Sequence, residues 1–442
     1  MEGLNRRDFL KVGAVATTAT AAACTYDYKV PQEEVLPYVV NPENVQPGLA
    51  TYYASLCNGC ATACGLVARN KDGRVVNVEG NPDHPTGPGL CTKGHFDLVA
   101  AYGPDRVDGP TDGRNAVSWD DALKRVTDAM AAAAAAGKSV AWLGRYRTGS
   151  AAALHDSLAR SGLRRVHWEP LGAESLLAAT RSAFGVDELP VYELAEARTI
   201  VSFGFDFMGT AFGSMGMMKG WAKAKDPSQG GFTARLVAIE PRLGTSSAVA
   251  DTWLAAVPGT EAKVAFALAK LAAAAKGYTG PAAALLANVD VAAACAASGI
   301  AESRLTETAQ ALAGAPSVVL PGGPTTSGAD ATALAIATLL CNEVLGNIGK
   351  TVQLGRGFRP GQVNSFADVQ ALVADLAAGK IGVLFVDGVD LVHAAPTELA
   401  VAEALSKADL IVQLANEPDD SSNDKTLLLP TGSGLEQWTD AN

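Results

Sequence analysis

Four cysteines constrain the N-terminal part of this chain more than any other feature. Cys57, Cys60 and Cys64 stand at C-x2-C-x3-C spacing, and Cys91 follows after residues 65–90. Three thiolates on one short loop and a fourth from a returning segment can cap the corners of an iron–sulfur cubane. Soft thiolates suit iron, and Gly59 and Gly65 permit the tight backbone turns such a loop needs. Two other readings stay open. Zinc is one, although it more often uses paired C-x2-C motifs; disulfides are the other, in an oxidising compartment. The spacing favours a [4Fe–4S] cluster. Cys295 and Cys341 sit singly in Ala/Leu-rich stretches and read as buried, inert thiols.

Between Cys64 and Cys91, Leu66–Arg69 and Arg74–Val78 alternate apolar and polar residues around Lys71-Asp72-Gly73. That pattern predicts a β-hairpin. Gly80-Asn81-Pro82-Asp83-His84-Pro85 then leads back towards Cys91 as a rigid loop, and His84 and His95 read as loop residues or as neighbours of the cluster's ligands.

The first residues read as an address. Asn5-Arg6-Arg7-Asp8-Phe9-Leu10-Lys11 precedes an uncharged Ala/Thr-rich run from Val12 to Ala23. This resembles the twin-arginine export signal, which carries folded proteins and so suits a cluster acquired in the cytoplasm. The run is about 12 residues, short of the roughly 20 that span a bilayer. Cys24 closes a degenerate lipoprotein cleavage box, Ala21-Ala22-Ala23-Cys24, and is a candidate for lipidation. The expected location is the periplasmic, extracytoplasmic face of the inner membrane, with contact to the membrane surface through a complex or a lipid anchor. A length of 442 residues suggests about two or three domains. The net charge of −11, without any Lys/Arg block, argues against nucleic acid as a partner.

After the cysteine region, short apolar runs alternate with Ala-rich stretches. Thr199–Phe207, Leu236–Arg242, Val318–Gly323 and Ile381–Gly388 read as buried strands that run into polar or Gly-rich loops. The Ala-rich stretches 122–136 and 262–276 read as helices. Strands alternating with helices signal parallel α/β sheets, which bind ligands at the carboxyl ends of their strands.

Tyr52–Pro110 resembles the N-terminal cluster domain of molybdopterin oxidoreductases. The carrying residues are the four cysteines, Glu79-Gly80-Asn81-Pro82 and Cys91-Thr92-Lys93-Gly94. The strand–loop segments extend the likeness, together with Pro258-Gly259-Thr260, Glu343–Lys350, Leu427–Pro430 and Leu435-Glu436-Gln437-Trp438. The resemblance implies a small [4Fe–4S] domain followed by two interleaved doubly wound α/β domains, formate dehydrogenase/DMSO reductase-like, with the family's cap domain absent. The last point follows from where the sequence stops, whether the remainder is a separate chain or the sequence is a piece of a longer one. The implied boundaries are signal 1–24, linker 25–50, cluster domain 51–104, one α/β domain from 105–165 plus 360–442, and the other from 166–359. Lys93 would assist electron passage between cluster and pterin. Gly204, Asp206, Glu240, Arg242, Gly322, Gly323 and Asp390 would form a real or vestigial pterin site.

Departures from the family pattern guide the functional expectation. Val166–Ala173 corresponds to the segment that ligates molybdenum and holds no Cys or Ser; Glu169 and Glu174 are the candidate oxygen donors. Asp206 and Asp390 stand where many members have Asn, placing negative charge near an anionic phosphate, although Arg242 could still grip one. Ser202–Phe207, Glu240-Pro241-Arg242 and Glu436-Gln437-Trp438 look most like the molybdopterin-like subunit of alternative complex III and of menaquinol reductase complexes. That implies an electron-transfer and scaffold subunit of a quinol-oxidising respiratory complex. Its partners would be an iron–sulfur subunit, a quinol-binding integral membrane subunit and cytochrome c subunits. Molybdenum bis-pterin guanine dinucleotide is expected to be absent. The alternative is the catalytic subunit of a molybdenum or tungsten enzyme acting on a small oxyanion or sulfur compound.

Overall fold

The computed structural model describes residues 45–442 apart from 114, 171–172, 230–232, 358–362, 439 and 441–442. The twin arginines and Cys24 therefore lie outside the described residues. Two compact units divide between Leu49 and Ala50, and the elements below belong to the second.

Strands β1 (Ala50–Leu56), β2 (Gly65–Lys71) and β3 (Arg74–Gly80) form an antiparallel sheet in that order. The predicted hairpin is β2–β3. Lys71 pairs with Arg74 across Asp72-Gly73, whose φ values of 52° and 81° supply the left-handed pair that a two-residue hairpin turn requires. Helix Thr92–Ala101 follows and packs against β3.

The chain next lays down β4 (Thr111–Asp112), β5 (Asn115–Ala116), β6 (Ser139–Gly144) and β7 (Arg164–His167). It then leaves to build β8 (Val191–Tyr192), β9 (Thr199–Phe203), β10 (Arg235–Glu240), β11 (Thr252–Ala255), β12 (Ser317–Gly322) and β13 (Val352–Gln353). It returns with β14 (Ile381–Asp387), β15 (Leu410–Leu414) and β16 (Thr426–Leu429). The first and last groups share a seven-stranded sheet of order β5-β4-β16-β15-β14-β6-β7, parallel except for β4 and β5 at one edge. The middle group forms an all-parallel sheet, β11-β10-β9-β12, and a separate pair, β13-β8.

Both large sheets are covered on both faces, as continuous apolar strands demand. On the four-stranded sheet, helices Glu261–Lys276 and Ala331–Leu345 bury one face with Val201, Phe203 and Val319, and helix Ser214–Lys225 covers the other with Ile200, Leu236 and Leu320. On the seven-stranded sheet, Phe366–Ala377 packs with Leu384 and Ile411 on one side, and Trp119–Ala135 packs with Val383 and Val412 on the other. The Ala-rich stretches are thus helices. Ser118 caps the first by accepting from the Asp121 N–H, and Gly277, at φ 64°, ends the second.

Strand order reverses at one place in each sheet. From the β6/β14 boundary, β7 lies on one side and β15 and β16 on the other; from β9/β12, β10 and β11 lie on one side. Crevices open at the carboxyl ends of such boundaries. In the four-stranded sheet the loops meet closely: Gly204 bridges Gly322, and a Cβ on Gly323 would run into the Gly204 carbonyl. We expect Gly323→Ala to cost about 1–3 kcal/mol of stability, read as a lowered urea midpoint.

A buried imidazole pair sits at the end of β7. His167 Nε2 lies 3.1 Å from His155 Nδ1; the His155 ring packs near Trp142 and the His167 ring near Tyr146. Burial, then the Arg165 and His155 charges, pull His167 from 6.5 down to about 3. The unfolded chain therefore takes up a proton below about pH 6.5 that the folded chain refuses until about pH 3. Stability falls as pH falls through that window, by up to about 1.4 kcal/mol per pH unit for one proton. His167→Gln should give a visibly shallower loss between pH 6.5 and 4 in urea titrations.

Candidate metal centre and adjoining cavity

Three of the four cysteines occupy the β1–β2 turn. Cys57 follows β1, Cys64 precedes β2, and the Cys57 N–H donates to the Cys64 carbonyl at 2.8 Å, closing the loop. Ala63 takes a φ of 47° within it. Cys91 arrives from the other side as the N-cap of helix Thr92–Ala101, where the helix dipole favours negative charge. Cys57 and Cys64 are buried in an apolar cluster with Leu66, Val78 and Met215, and all six described cysteines are free thiols.

The thiols act on one another electrostatically. Burial pushes Cys57 up to about 12 against a lowering hydrogen bond from the Gly59 N–H, with Asp97, Cys60 and Cys64 adding to the rise. Burial pushes Cys64 up to about 11, with Cys60 and Cys91 adding, while the Thr86 hydroxyl lowers it. Four thiolates gathered here need a polycationic core to balance them, which is what iron–sulfur ligation supplies. Among the described residues no three Cys, His, Asp or Glu side chains converge tightly enough for a single metal ion. A cubane instead takes one thiolate at each of four irons. The donor set fits a [4Fe–4S] cluster.

The surroundings hold the loop rigidly. His84 Nδ1 lies 3.2 Å from the Gly65 N–H and 2.9 Å from Thr86 Oγ1, so this histidine pins the loop; His95 is exposed. Asp97 lies beside Asn58 and Cys57, with Oδ2 buried and no hydrogen-bond partner. Burial, its main influence, raises its carboxyl above the ordinary range. Hydrogen bonds tie the loop to the α/β layers: the Gly59 carbonyl accepts from Arg145 Nη1 at 2.9 Å, and Thr62 Oγ1 accepts from the Gly213 N–H at 3.3 Å.

A cavity of about 340 Å³ opens beside the cluster loop. Gly59, Cys60 and Lys93 line it from the cluster side, Arg145 and Glu169 from β6 and β7, Thr210–Phe212 from the β9 loop, and Gly388–Asp390 from β14. Lys93 thus stands where cluster and cavity meet. Glu169 is turned towards the sheet, Oε1 accepting from the Tyr146 N–H at 3.1 Å and Oε2 from Arg145 at 3.4 Å. Glu174 accepts from the Phe366 N–H instead and does not line this cavity.

The remaining expected site residues divide between two crevices. Gly204, Glu240, Gly322 and Gly323 gather at the four-stranded sheet, beside a second cavity of about 350 Å³ that includes Thr325 and Thr326. Glu240 is buried; Oε2 accepts from Thr325 at 2.7 Å, and Oε1 has no partner among the described residues. That orphaned acceptor and the glycine cradle fit a hydroxyl- or N–H-bearing ligand such as a pterin nucleotide. Arg242 is exposed at the end of the same strand's loop. Asp206 Oδ2 accepts from the Thr210 N–H and hydroxyl, and Oδ1 from Ser246. Asp390 accepts from Ser421 and from the His393 and Asp420 N–H groups. Both carboxylates are thus held by N–H and hydroxyl donors of their own and neighbouring loops, which stabilise the negative charge in place.

Residues 50–101 match the molybdopterin oxidoreductase Fe4S4 domain, and residues 112–438 match the molybdopterin oxidoreductase domain. The chain belongs to the molybdopterin oxidoreductase family. A menaquinone reductase molybdopterin-binding-like subunit from Nitratidesulfovibrio vulgaris is 26% identical over 90% of this chain and 61% of its own length. The molybdopterin-containing subunit of an arsenate respiratory reductase from Shewanella sp. (strain ANA-3) is 26% identical over 61% of the chain and 33% of its own length. A nitrate reductase from Symbiobacterium thermophilum is 28% identical over 58% and 34%. The chain therefore spans between about a third and three fifths of these relatives. Acetylene hydratase from Pelobacter acetylenicus shares the fold, with a TM-score of 0.70 at 14% identity, covering 87% of this chain and 63% of that one.

Arg145, Asp97, Thr62 and Met215 escape a motif-based reading. Arg145 had a signal: Val140–Gly144 is an apolar run ending in Gly before a charged loop, the same pattern as the other strand–loop units. The Asp206 network gives a direct check. Asp206→Ala should destabilise the protein by about 1–3 kcal/mol in urea melts without added cofactor, because three donors lose their acceptor.

Proposed function

We propose that this chain carries a [4Fe–4S] cluster on Cys57, Cys60, Cys64 and Cys91 and serves as an electron-transfer and scaffold subunit of a membrane-associated respiratory complex that oxidises quinol. The observation that carries the cluster assignment is that three thiols on the β1–β2 turn act electrostatically on one another and on a fourth at a helix N-terminus, within a segment that matches the Fe4S4 domain. The likeness over 90% of the chain to a menaquinone reductase subunit supports the setting. When bound, the cluster supplies one-electron storage and release. The protein buries two of its ligands, donates the Gly59 N–H towards Cys57 Sγ at 3.3 Å, and sets Lys93 between cluster and cavity. Partners on this reading are an iron–sulfur subunit, a quinol-binding integral membrane subunit and cytochrome c subunits. Among the described residues no helix is long and apolar enough to cross a membrane, so membrane association would come through the complex or a lipid on Cys24. Export by the twin-arginine route to the extracytoplasmic face completes the proposal.

A second reading is a molybdenum or tungsten bis-pterin oxidoreductase. The buried, partnerless Glu240 Oε1 and the two cavities favour it. Glu169 favours the first reading, since both its oxygens are engaged by Arg145 and Tyr146.

Metal analysis of anaerobically purified protein separates the two. We expect about four irons per chain, a reduced-state cluster EPR signal, and loss of both in Cys64→Ser. Near-stoichiometric molybdenum or tungsten with extractable pterin would transfer the assignment to the second reading.

A further inference from the structure

We infer that Arg145 is a positioning residue that clamps the cluster loop and passes the charge at Glu169 to the cluster, so that this ion pair sets the reduction potential. The inference rests on the cluster assignment above. Arg145 follows β6 directly, and its N–H donates to the Asp387 carbonyl at 3.2 Å, which fixes its backbone to β14. Its guanidinium then spans two targets. Nη1 donates to the Gly59 carbonyl at 2.9 Å, and Nη2 meets Glu169 Oε2 at 3.4 Å.

Gly59 is the receiving point. Its N–H donates to Cys57 Sγ at 3.3 Å. A Cβ there would lie 3.0 Å from the Lys93 Cβ and 3.3 Å from Cys57 Sγ, so the peptide is pressed between a ligand and the lysine. A displaced Gly59 would alter the hydrogen bond to sulfur, one of the quantities that sets a cluster's potential together with local charge. Arg145 is 27% exposed and Glu169 7%, so solvent screens the pair weakly. A planar fork suits this double task, and a lysine's point charge does not.

Opposite signs follow. Loss of the guanidinium removes positive charge near the cluster and disfavours the added electron. Neutralising Glu169 leaves that positive charge uncompensated and favours it. Because the two side chains share one contact, their effects should not add.

The test is a redox titration of the cluster EPR signal in the full chain, with iron content measured alongside. Arg145→Gln should lower the potential, Glu169→Gln should raise it, and Arg145→Lys should fall between Arg145→Gln and the unsubstituted protein. In the Arg145→Gln background the Glu169→Gln shift should be smaller than in the otherwise unsubstituted protein, because only its direct charge effect remains. If Arg145→Gln loses its iron, Arg145→Lys and Glu169→Gln still carry the test through their opposite shifts. Unchanged potentials at full iron content, or an equal Glu169→Gln shift in both backgrounds, would overturn this inference alone. An unsubstituted protein without iron would overturn the cluster assignment and this inference together.

Discussion

Parallel strands present all their carboxyl ends on one side, and a crevice forms only where the winding direction reverses. In the seven-stranded sheet that reversal lies between β6 and β14, whose registered ends, Gly144 and Asp387, are far apart in sequence. The chain leaves after β7, completes a second sheet, and returns. The cavity beside the cluster loop is completed by this return. Without it Arg145 has no Asp387 carbonyl to hold its backbone, and Gly388–Asp390 do not face Glu169. The cluster loop is then seated by Arg145 from one α/β layer and by Gly213 from the other.

Charge is handled by local satisfaction rather than by solvent. Asp206 and Asp390 are each wrapped by hydroxyl and N–H donors from neighbouring loops, and Glu169 by an arginine and a backbone N–H. Buried polar groups cost free energy unless they are bonded, so these pairings are a condition of the fold as well as of any ligand site. The exceptions mark where chemistry can enter. Glu240 Oε1 at one crevice and Asp97 Oδ2 beside Cys57 are buried acceptors without hydrogen-bond partners among the described residues. The thiols are a related case: burial holds Cys57 and Cys64 far above the usual thiol range, so thiolates there depend on a cationic core.

The family fold accounts for the breadth of the matches, while function has to be argued from the site. Its relatives include a subunit of a menaquinone reductase and parts of arsenate and nitrate reductases. In the present chain a tie runs from Gly59 through Arg145 to Glu169 and puts an ion pair in the loop after β7.

Several features were legible in the residues because they are local. The Asp-Gly turn, the cysteine spacing, the Ala-rich helices and the apolar strands each depend on neighbours a few positions away, and backbone sterics or periodicity suffice to read them. The carboxylate networks were not legible. Asp206 reads in sequence as a charge beside a phosphate loop; only folding brings Ser246 to it, and likewise brings Ser421 to Asp390. Arg145 carries the same lesson, since its targets Gly59 and Glu169 come from different layers. The sequence by itself determined the elements and the ligand types, because those follow from short-range geometry and side-chain chemistry. Tertiary structure alone decided which charges are hydrogen-bonded and which acceptors stay open, because hydrogen bonding in a buried site depends on distance in space and not along the chain.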